Sequence, residues 1–243
     1  MPRVIIPALL FWCITSVDAQ AQPWWEYIQR TPEAIIGLLD LPDVMGHGCG
    51  EPVQQTPAPI YDAPAFGSGT GSTLILVHDK ELGCVFALQR PGAAPAPAPT
   101  LESGYEIPSA PVYERRGAWF RVALKNGSGW IRHTDANDFA GYPELLSDNL
   151  AYIREGWDGK LRESPGDRGD VIALPAAWNP HLDKRIDIHY LGARMVRKEL
   201  WIQVRLATET CDTKLDGVKP VTGWIRAYRL NRSPAVWFAS RGC

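Results

Sequence analysis

The sequence predicts a mainly β protein made of two similar modules. A Trp followed by alternating apolar residues, a turn and then Gly-Trp-Ile-Arg occurs in residues 117–132. The same pattern returns in residues 198–206 and resumes, after an insertion, in residues 222–228. Alternation is the pattern of a half-buried strand, and its repetition is typical of a duplicated unit. The 10 Trp, 21 Pro and 22 Gly residues favour short strands and tight turns over long helices.

Length and composition narrow the class of protein. The 243 residues suffice for one large or two small domains. The chain is 45% hydrophobic, which is typical of a globular protein. Its net charge of −2 gives no broad electrostatic case for binding nucleic acid or an anionic membrane.

The first residues have the pattern of a secretory signal. Arg3 supplies a positive charge, and residues 4–17 form an almost uncharged apolar run that is too short to span a membrane comfortably. The small-residue cleavage pattern occurs at residues 17–19 and again at 19–21. We therefore expect residues 1–21 to be a signal peptide, which predicts a periplasmic or secreted protein with no membrane span after cleavage. An uncleaved anchor is the alternative.

Export gives the cysteines a role. Loss of the signal removes Cys13 and leaves Cys49, Cys84, Cys211 and Cys243. An even number in an exported chain suggests two disulfides, for which three connectivities exist. The spacing favours Cys49 with Cys84 and Cys211 with Cys243, one bridge in each half.

Residues 22–50 form the one stretch with helical character. Thr31 can act as an N-cap, Pro32 suits the first helical position, and Glu33 suits the positive end of the helix dipole. Residues 34–39 would then form a short helix that ends before Pro42. This N-terminal helical segment either packs on the first module or is an exposed docking segment for a partner.

The first module is expected in residues 51–146. Residues 58–64 are predicted to be a strand that ends in a Pro turn, and residues 73–79 and 84–89 a hairpin. The Ala/Pro alternation of residues 91–99 predicts an extended polyproline II loop within the module. Residues 105–107 and 112 onward would complete the sheet, and a helical turn at residues 143–146 would join the halves.

The second module is expected in residues 147–243. Residues 160–166 combine a strand with a Pro-Gly turn, in the role of residues 60–64 of the first module. The further predicted strands are residues 170–174, 186–190, 194–196, 201–206, 224–228 and 235–238. In the alignment of the two copies, residues 119–122 lie over 201–204, and residues 105–107 lie over 187–189.

Both units resemble bacterial SH3-like (SH3b) domains. That family opens on a short strand ending in Pro, seen here in residues 161–166, and closes with a Trp-x-x-Val … Gly-x-x-Gly-Trp hairpin. Residues 119–130 fit that hairpin, and Trp201, Val204, Gly223 and Trp224 fit it in the second copy. The resemblance implies small five-stranded barrels used for binding, commonly near peptidoglycan. The Ala/Pro run, the extra hairpin near Cys84 and the Cys211 insertion depart from the family.

Alternation along the repeated strands separates two faces. Phe120, Val122 and Leu124 share one face of the first copy, and Ile202, Val204 and Leu206 share one face of the second. These aliphatic faces are the expected core, so the first Trp of each copy lies on the more polar face and either covers the barrel or lines a groove. By the same alternation, one member of each pair Trp130/Ile131 and Trp224/Ile225 should be only partly buried. The candidate ligand-binding residues are Trp119, Trp130, Trp201, Trp224, Tyr105 and Tyr228.

No convincing catalytic pattern is found. His47 and Cys49 are almost adjacent, whereas a nucleophile and its base usually come from separate elements. His181 and His189 lack the spacing of metal ligands, and we expect neither a metal nor another cofactor. The leading hypothesis is a non-catalytic binding protein for a cell-wall component or an envelope protein. The alternatives are an accessory subunit that docks through its N-terminal segment and an unrecognised cell-wall hydrolase.

Overall fold

A computed structural model describes residues 34–45, 56–80, 83–155, 157–182, 185–209, 214–215 and 217–240. The fold is mainly β, as the sequence predicts. The expected signal peptide and most of the N-terminal segment lie outside the described residues. In the described part of the chain, no helix has the length and apolar character needed to cross a membrane.

The first sheet is a curled antiparallel half-barrel of ten strands. Its strands are β1 (Gly37–Asp40), β2 (Ala58–Tyr61), β3 (Gly69–Asp79), β4 (Gly83–Gln89), β5 (Ala96–Pro97), β6 (Leu101–Gly104), β7 (Ile107–Arg116), β8 (Trp119–Leu124), β9 (Gly127–Arg132) and β10 (Phe139–Gly141). They run in the order β10-β1-β7-β8-β9-β2-β3-β4-β5, and β6 pairs with β7. A short helix α1 (Pro42–Met45) follows β1, and 3₁₀ turns at Phe66–Ser68 and Ala136–Asp138 precede β3 and β10.

The second sheet has seven strands. They are β11 (Leu150–Ile153), β12 (Leu161–Arg162), β13 (Val171–Ile172), β14 (Ile186–Val196), β15 (Glu199–Leu206), β16 (Thr222–Arg226) and β17 (Val236–Ala239). Their order is β13-β12-β16-β15-β14-β11-β17. A 3₁₀ helix spans Ala176–His181, and helix α2 (Tyr142–Asp148) joins the two sheets.

The two sheets repeat one arrangement of strands. Read from β10, the first seven strands of the first sheet correspond one by one to the second sheet read from β17. The register repeats as well: Trp119 lies opposite Arg132 as Trp201 lies opposite Arg226. Each copy also bulges by one residue at the same place, Tyr113 in β7 and Leu191 in β14. A repeated register is stronger support for a duplicated unit than the sequence pattern alone.

The sequence alignment of residues 105–107 with residues 187–189 is wrong. Val112 pairs with Val122, and Tyr190 occupies the equivalent place opposite Val204. The shift is four residues because the β14–β15 hairpin continues for two residue pairs beyond Trp201, whereas β7 turns into β8 directly after the pair that contains Trp119. The alignment kept one offset on both sides of a turn whose length differs between the copies.

The expected helix over residues 34–39 is also wrong, because its second half is a central strand. Strand β1 lies between β10 and β7, with Leu39 opposite both Phe139 and Ala110. Ile36, Leu38 and Leu39 are fully buried. A continuous apolar run fits a strand covered on both faces as well as it fits a helix, and the caps at Thr31 and Pro32 favoured the wrong alternative. The first sheet therefore begins before the expected boundary at residue 51.

The hairpin β3–β4 forms as predicted, but the Ala/Pro run is not entirely a loop. Ala96 and Pro97 form the short edge strand β5 on β4, and Ala98 beside them is buried. Proline is tolerated there because an edge strand leaves one side of its backbone unpaired.

The repeated strands place their aliphatic faces in the core, as predicted. Phe120 and Val122 are buried in the first copy, and Ile202, Val204 and Leu206 are fully buried in the second. One residue of each pair Trp130/Ile131 and Trp224/Ile225 was predicted to be only partly buried. This holds for the second pair, in which Trp224 is half-buried beside the buried Ile225. It is wrong for the first copy, where both Trp130 and Ile131 are buried.

Helix α2 sets the junction between the sheets. The fully buried Tyr142 donates its hydroxyl to the carbonyls of Val236 and Ala227, and its ring stacks on Trp237. Burial raises the pKa of Tyr142 far above its usual value. Tyr228 donates to the carbonyl of Ile35 at 2.8 Å, which ties the second sheet to the segment before β1. Buried apolar residues of both sheets form one continuous cluster.

Cys84, in β4, is disulfide-bonded. Cys49, Cys211 and Cys243 lie outside the described residues. The two pairings favoured by the spacing therefore stay predictions.

Candidate ligand-binding site

A cavity of about 550 Å³ opens on the second sheet beside Trp201. Strands β12, β15 and β16 supply one wall. The segment before β12, the loop between β12 and β13 and the segment after β16 supply the rest. Its lining contains three aromatic residues (Trp157, Trp201, Tyr228), four cations (Lys160, Arg162, Arg226, Arg229), two acids (Asp158, Asp167), three apolar residues (Ile225, Leu230, Ala235) and Asn231. Convergent polar groups in an aromatic-lined cavity of this size are typical of a ligand site.

Trp201 forms the floor of the cavity. It lies on the opposite face of β15 from Ile202, as the alternation predicts, yet only 2% of it is exposed. The guanidinium carbon of Arg226 lies 5.7 Å from its ring centroid and covers that face. Its indole nitrogen is buried and has no hydrogen-bond partner among the described residues. A buried donor without an acceptor is costly. A ligand oxygen would reach this N–H only after the side chains that cover it move aside.

Arg226 is held in place by acids. Its Nη2 lies 2.5 and 2.6 Å from the two carboxylate oxygens of Asp167, and its Nη1 lies 3.6 Å from Glu199. The hydrogen bond from Arg226 lowers the pKa of Asp167, and the same bond raises the pKa of Arg226. This pair fixes the loop before β13 against β16 and keeps the guanidinium over Trp201.

Two other arginines in the wall are held by backbone carbonyls. Arg162 donates from Nη1 to the carbonyls of Asp167 and Gly169 at 3.1 and 2.7 Å. Arg229 donates from Nη2 to the carbonyls of Arg154 and Glu155. Among the described residues, neither guanidinium lies within ion-pair distance of a carboxylate. Backbone carbonyls orient both side chains without neutralising their charge.

Tyr228 contributes its ring to the cavity rather than its hydroxyl. The hydroxyl is bonded to Ile35, and burial, followed by the nearby Tyr142, raises the pKa of Tyr228 well above its usual value. Leu230 lies at the rim and is 91% exposed, in a turn where Arg232 has a φ of 70°. An apolar side chain held out at a cavity rim is a ready contact for a ligand.

The equivalent place in the first sheet carries aromatic side chains. The ring of Trp119 meets those of Tyr61 and Phe66 edge-on, with centroids 5.0 and 5.4 Å away. Arg132, the counterpart of Arg226, lies over Phe66 at 5.2 Å. Phe66 has the loop position that Asp167 has in the second copy, packs against Trp119 and is itself largely exposed.

Of the six candidate residues chosen from the sequence, two line the cavity and four do not. Trp201 and Tyr228 line the cavity, while Trp224 pairs with Arg162 and is half-buried but does not line it. Trp130 is buried beneath Arg116, whose guanidinium carbon lies 5.3 Å from its ring. Tyr105 is exposed in the turn between β6 and β7, and Trp119 packs on its aromatic neighbours.

Sequence reasoning missed most of the charged and rim residues: Trp157, Asp158, Lys160, Asp167, Arg229 and Leu230. They lie in turns, where no periodicity marks the side that faces a cavity. A usable signal was the second copy's Arg226, because the Gly-Trp-Ile-Arg repeat puts an arginine opposite the first Trp in both modules.

The part of the chain that the structure describes contains no group of three or more His, Cys, Asp or Glu side chains that could hold a metal ion. His47 and Cys49 lie outside the described residues. When the chain is compared with models of known protein families, with curated proteins and with solved structures, none of them matches it.

Proposed function

We propose that this chain is an exported, non-catalytic binding protein made of two SH3-like barrels in tandem. Its ligand is a component of peptidoglycan or an envelope protein, held in the cavity beside Trp201. Three features support the two barrels: the common strand order of the sheets, the common register of the hairpins and the matching bulges. The signal pattern of residues 1–21 supports export to the periplasm or beyond.

The cavity itself is the observation that carries the binding proposal. Among the described residues, it combines a largely exposed leucine, a buried N–H without an acceptor and two arginines with no carboxylate within ion-pair distance. Polar groups that converge in a cavity partly lined by aromatic side chains are typical of a ligand site. In the first copy Phe66 packs against Trp119 at the corresponding strand pair, so we assign binding to the second copy alone.

Docking through the N-terminal segment is less well supported. Residues 36–39 are buried, and β1 pairs on both sides within the first sheet, so this part of the segment is not available to a partner. Its removal would disrupt the sheet rather than release a docking arm.

Sedimentation with isolated peptidoglycan tests the proposal. The mature protein should be retained, and Leu230→Ala should lower the retained fraction because it removes an exposed contact at the cavity rim. Leu191→Ala is the matched control, since Leu191 is an exposed leucine of the same sheet that does not line the cavity. Capture from an envelope extract, with the same two variants, tests a protein ligand. Lack of retention in both assays would remove the proposal, and equal retention of the two variants would move the site elsewhere.

A further inference from the structure

We infer that the cavity beside Trp201 selects a peptide that carries a free carboxylate. The inference rests on the proposed function, because it takes this cavity to be the ligand site. It goes further by naming the chemistry of the ligand from three properties of the wall: its charge, its buried donor and the covering of its aromatic floor.

The wall has more positive than negative side chains. Lys160 Nζ lies 3.6 Å from Asp158 Oδ2, and Arg226 is bound to Asp167. In each of these two pairs, the acid balances the charge of the cation. Glu199 approaches Arg226 from outside the lining. Arg162 and Arg229 remain, and both are fixed through backbone carbonyls. Two oriented guanidiniums with unused N–H groups are suited to a carboxylate, which accepts hydrogen bonds from such groups in defined directions.

The floor supplies a donor to the same ligand. The Trp201 indole N–H is buried and has no acceptor among the described residues, so a ligand oxygen that reaches it, once the side chains covering it have moved aside, gains a hydrogen bond that the unliganded protein lacks. A peptide carries a carbonyl oxygen at every residue and can meet this donor while its carboxylate lies between the arginines. Apolar side chains of the peptide would meet the exposed Leu230 at the rim.

The covering of Trp201 removes one stacking surface that a sugar chain would use. Sugar rings gain most of their contact by stacking on an open aromatic face, and Trp201 is 2% exposed with Arg226 over its ring. Trp157 and Tyr228 also line the cavity and are only half-buried. A glycan is therefore an outcome that the test must separate from the proposed peptide.

The experiment compares two peptide mixtures that differ in one group. N-acetylated tetrapeptides of uncharged residues are prepared with a free C-terminal carboxylate and, separately, as C-terminal amides. Each mixture is titrated into the full mature protein while the indole N–H signal of Trp201, assigned by its loss in Trp201→Phe, is followed by NMR. The acid mixture should move this signal with an apparent Kd about tenfold lower than that of the amide mixture, the size expected for one charge-assisted hydrogen bond.

Matched variants connect the preference to the two arginines. Arg229→Gln should reduce the preference for the acid, and Arg232→Gln, in the same exposed turn but outside the lining, should leave it unchanged. Arg162→Gln provides a second test if Arg229→Gln does not give a native spectrum. Equal affinity for acid and amide, or no movement of the Trp201 signal with either mixture, would overturn the inference.

The two proposals fail separately. Retention on peptidoglycan with no preference for the acid mixture would keep the proposed function and remove the peptide carboxylate. The same pattern, together with movement of the Trp201 signal by peptide-free glycan strands, would assign the cavity to a sugar ligand. Preference for the acid mixture without retention on peptidoglycan would keep the carboxylate inference and remove the proposed cell-wall ligand.

Discussion

Replacing Gly37 with alanine tests whether β1 belongs to the first sheet. A Cβ at this position would lie 2.3 Å from the carbonyl oxygen of Ala140 and 2.6 Å from two ring carbons of Phe139. The oxygen is a backbone atom of the neighbouring strand β10, so relief of the clash requires the strands to separate. Extra atoms in a well-packed interior cost about 1–3 kcal/mol. For a chain of this size, each kcal/mol lowers the Tm by about 2–4 °C.

Chemical unfolding followed by Trp fluorescence measures the effect. Gly67→Ala is the control, because a Cβ at Gly67 would meet no atom within 4 Å and the change should stay within about 0.5 kcal/mol. Gly37→Ala should lower the free energy of unfolding by at least 1 kcal/mol more than this control does, within the range given above. Equal stability of the two variants would refute the reasoning and return residues 34–41 to an exposed segment.

Three further predictions concern the junction, the duplication and the charges. Tyr142→Phe removes the buried hydroxyl that bonds to the carbonyls of Ala227 and Val236, and it should lower the free energy of unfolding by about 1–3 kcal/mol. An unchanged Tm would show that this hydroxyl does not stabilise the junction between the sheets. Gly129→Ala and Gly223→Ala should destabilise to a similar degree, because their Cβ atoms would approach side chains at 2.7 and 2.9 Å at equivalent places, and a loss in one variant alone would count against equivalent copies. Arg226 lowers the pKa of Asp167 in the folded protein, so the stabilisation is present above the usual Asp value of 3.8 and disappears as the pH falls through the lowered pKa. Wild type should therefore be slightly more stable than Asp167→Asn at pH 7, and this difference should vanish in strong acid. A difference that grows as the pH falls would contradict the lowered pKa of Asp167.

The repeated hairpins could be predicted because one signal controls them. Alternation places Phe120 and Val122 in the core and Trp119 opposite, and the same holds for Ile202, Val204 and Trp201. Each of these strands has one face on the core, so the period of two is visible in the sequence. The strand order of the sheets then follows the repeat.

Strand β1 could not be predicted because its burial removes that signal. Leu38 and Leu39 are both fully buried, one on each face, so no alternation distinguishes the strand from a helix. Local capping residues then decided the interpretation, and pairing with strands about a hundred residues away overrode them.

The candidate site could be predicted only in part for a related reason. The repeat marked Trp201, and Tyr228 was a candidate as well. Trp201 is buried on the polar face because Arg226 covers its ring, and Asp167, from the loop before β13, holds Arg226 there. The opposite outcome in the first copy, where Phe66 packs on Trp119, depends on a residue that no pattern singled out. Two similar strand pairs therefore differ in the side chains that pack on their first Trp, and the loops decide that difference.

The most direct test of the account follows the indole N–H signals of Trp201 and Trp119 while soluble peptidoglycan fragments are added to the mature protein. We expect a saturable shift of the Trp201 signal, with Trp119 unchanged, because the cavity lies beside Trp201 whereas Trp119 packs against Tyr61 and Phe66. A shift of Trp119 alone, or a shift of neither signal in a protein that still sediments with peptidoglycan, would contradict it.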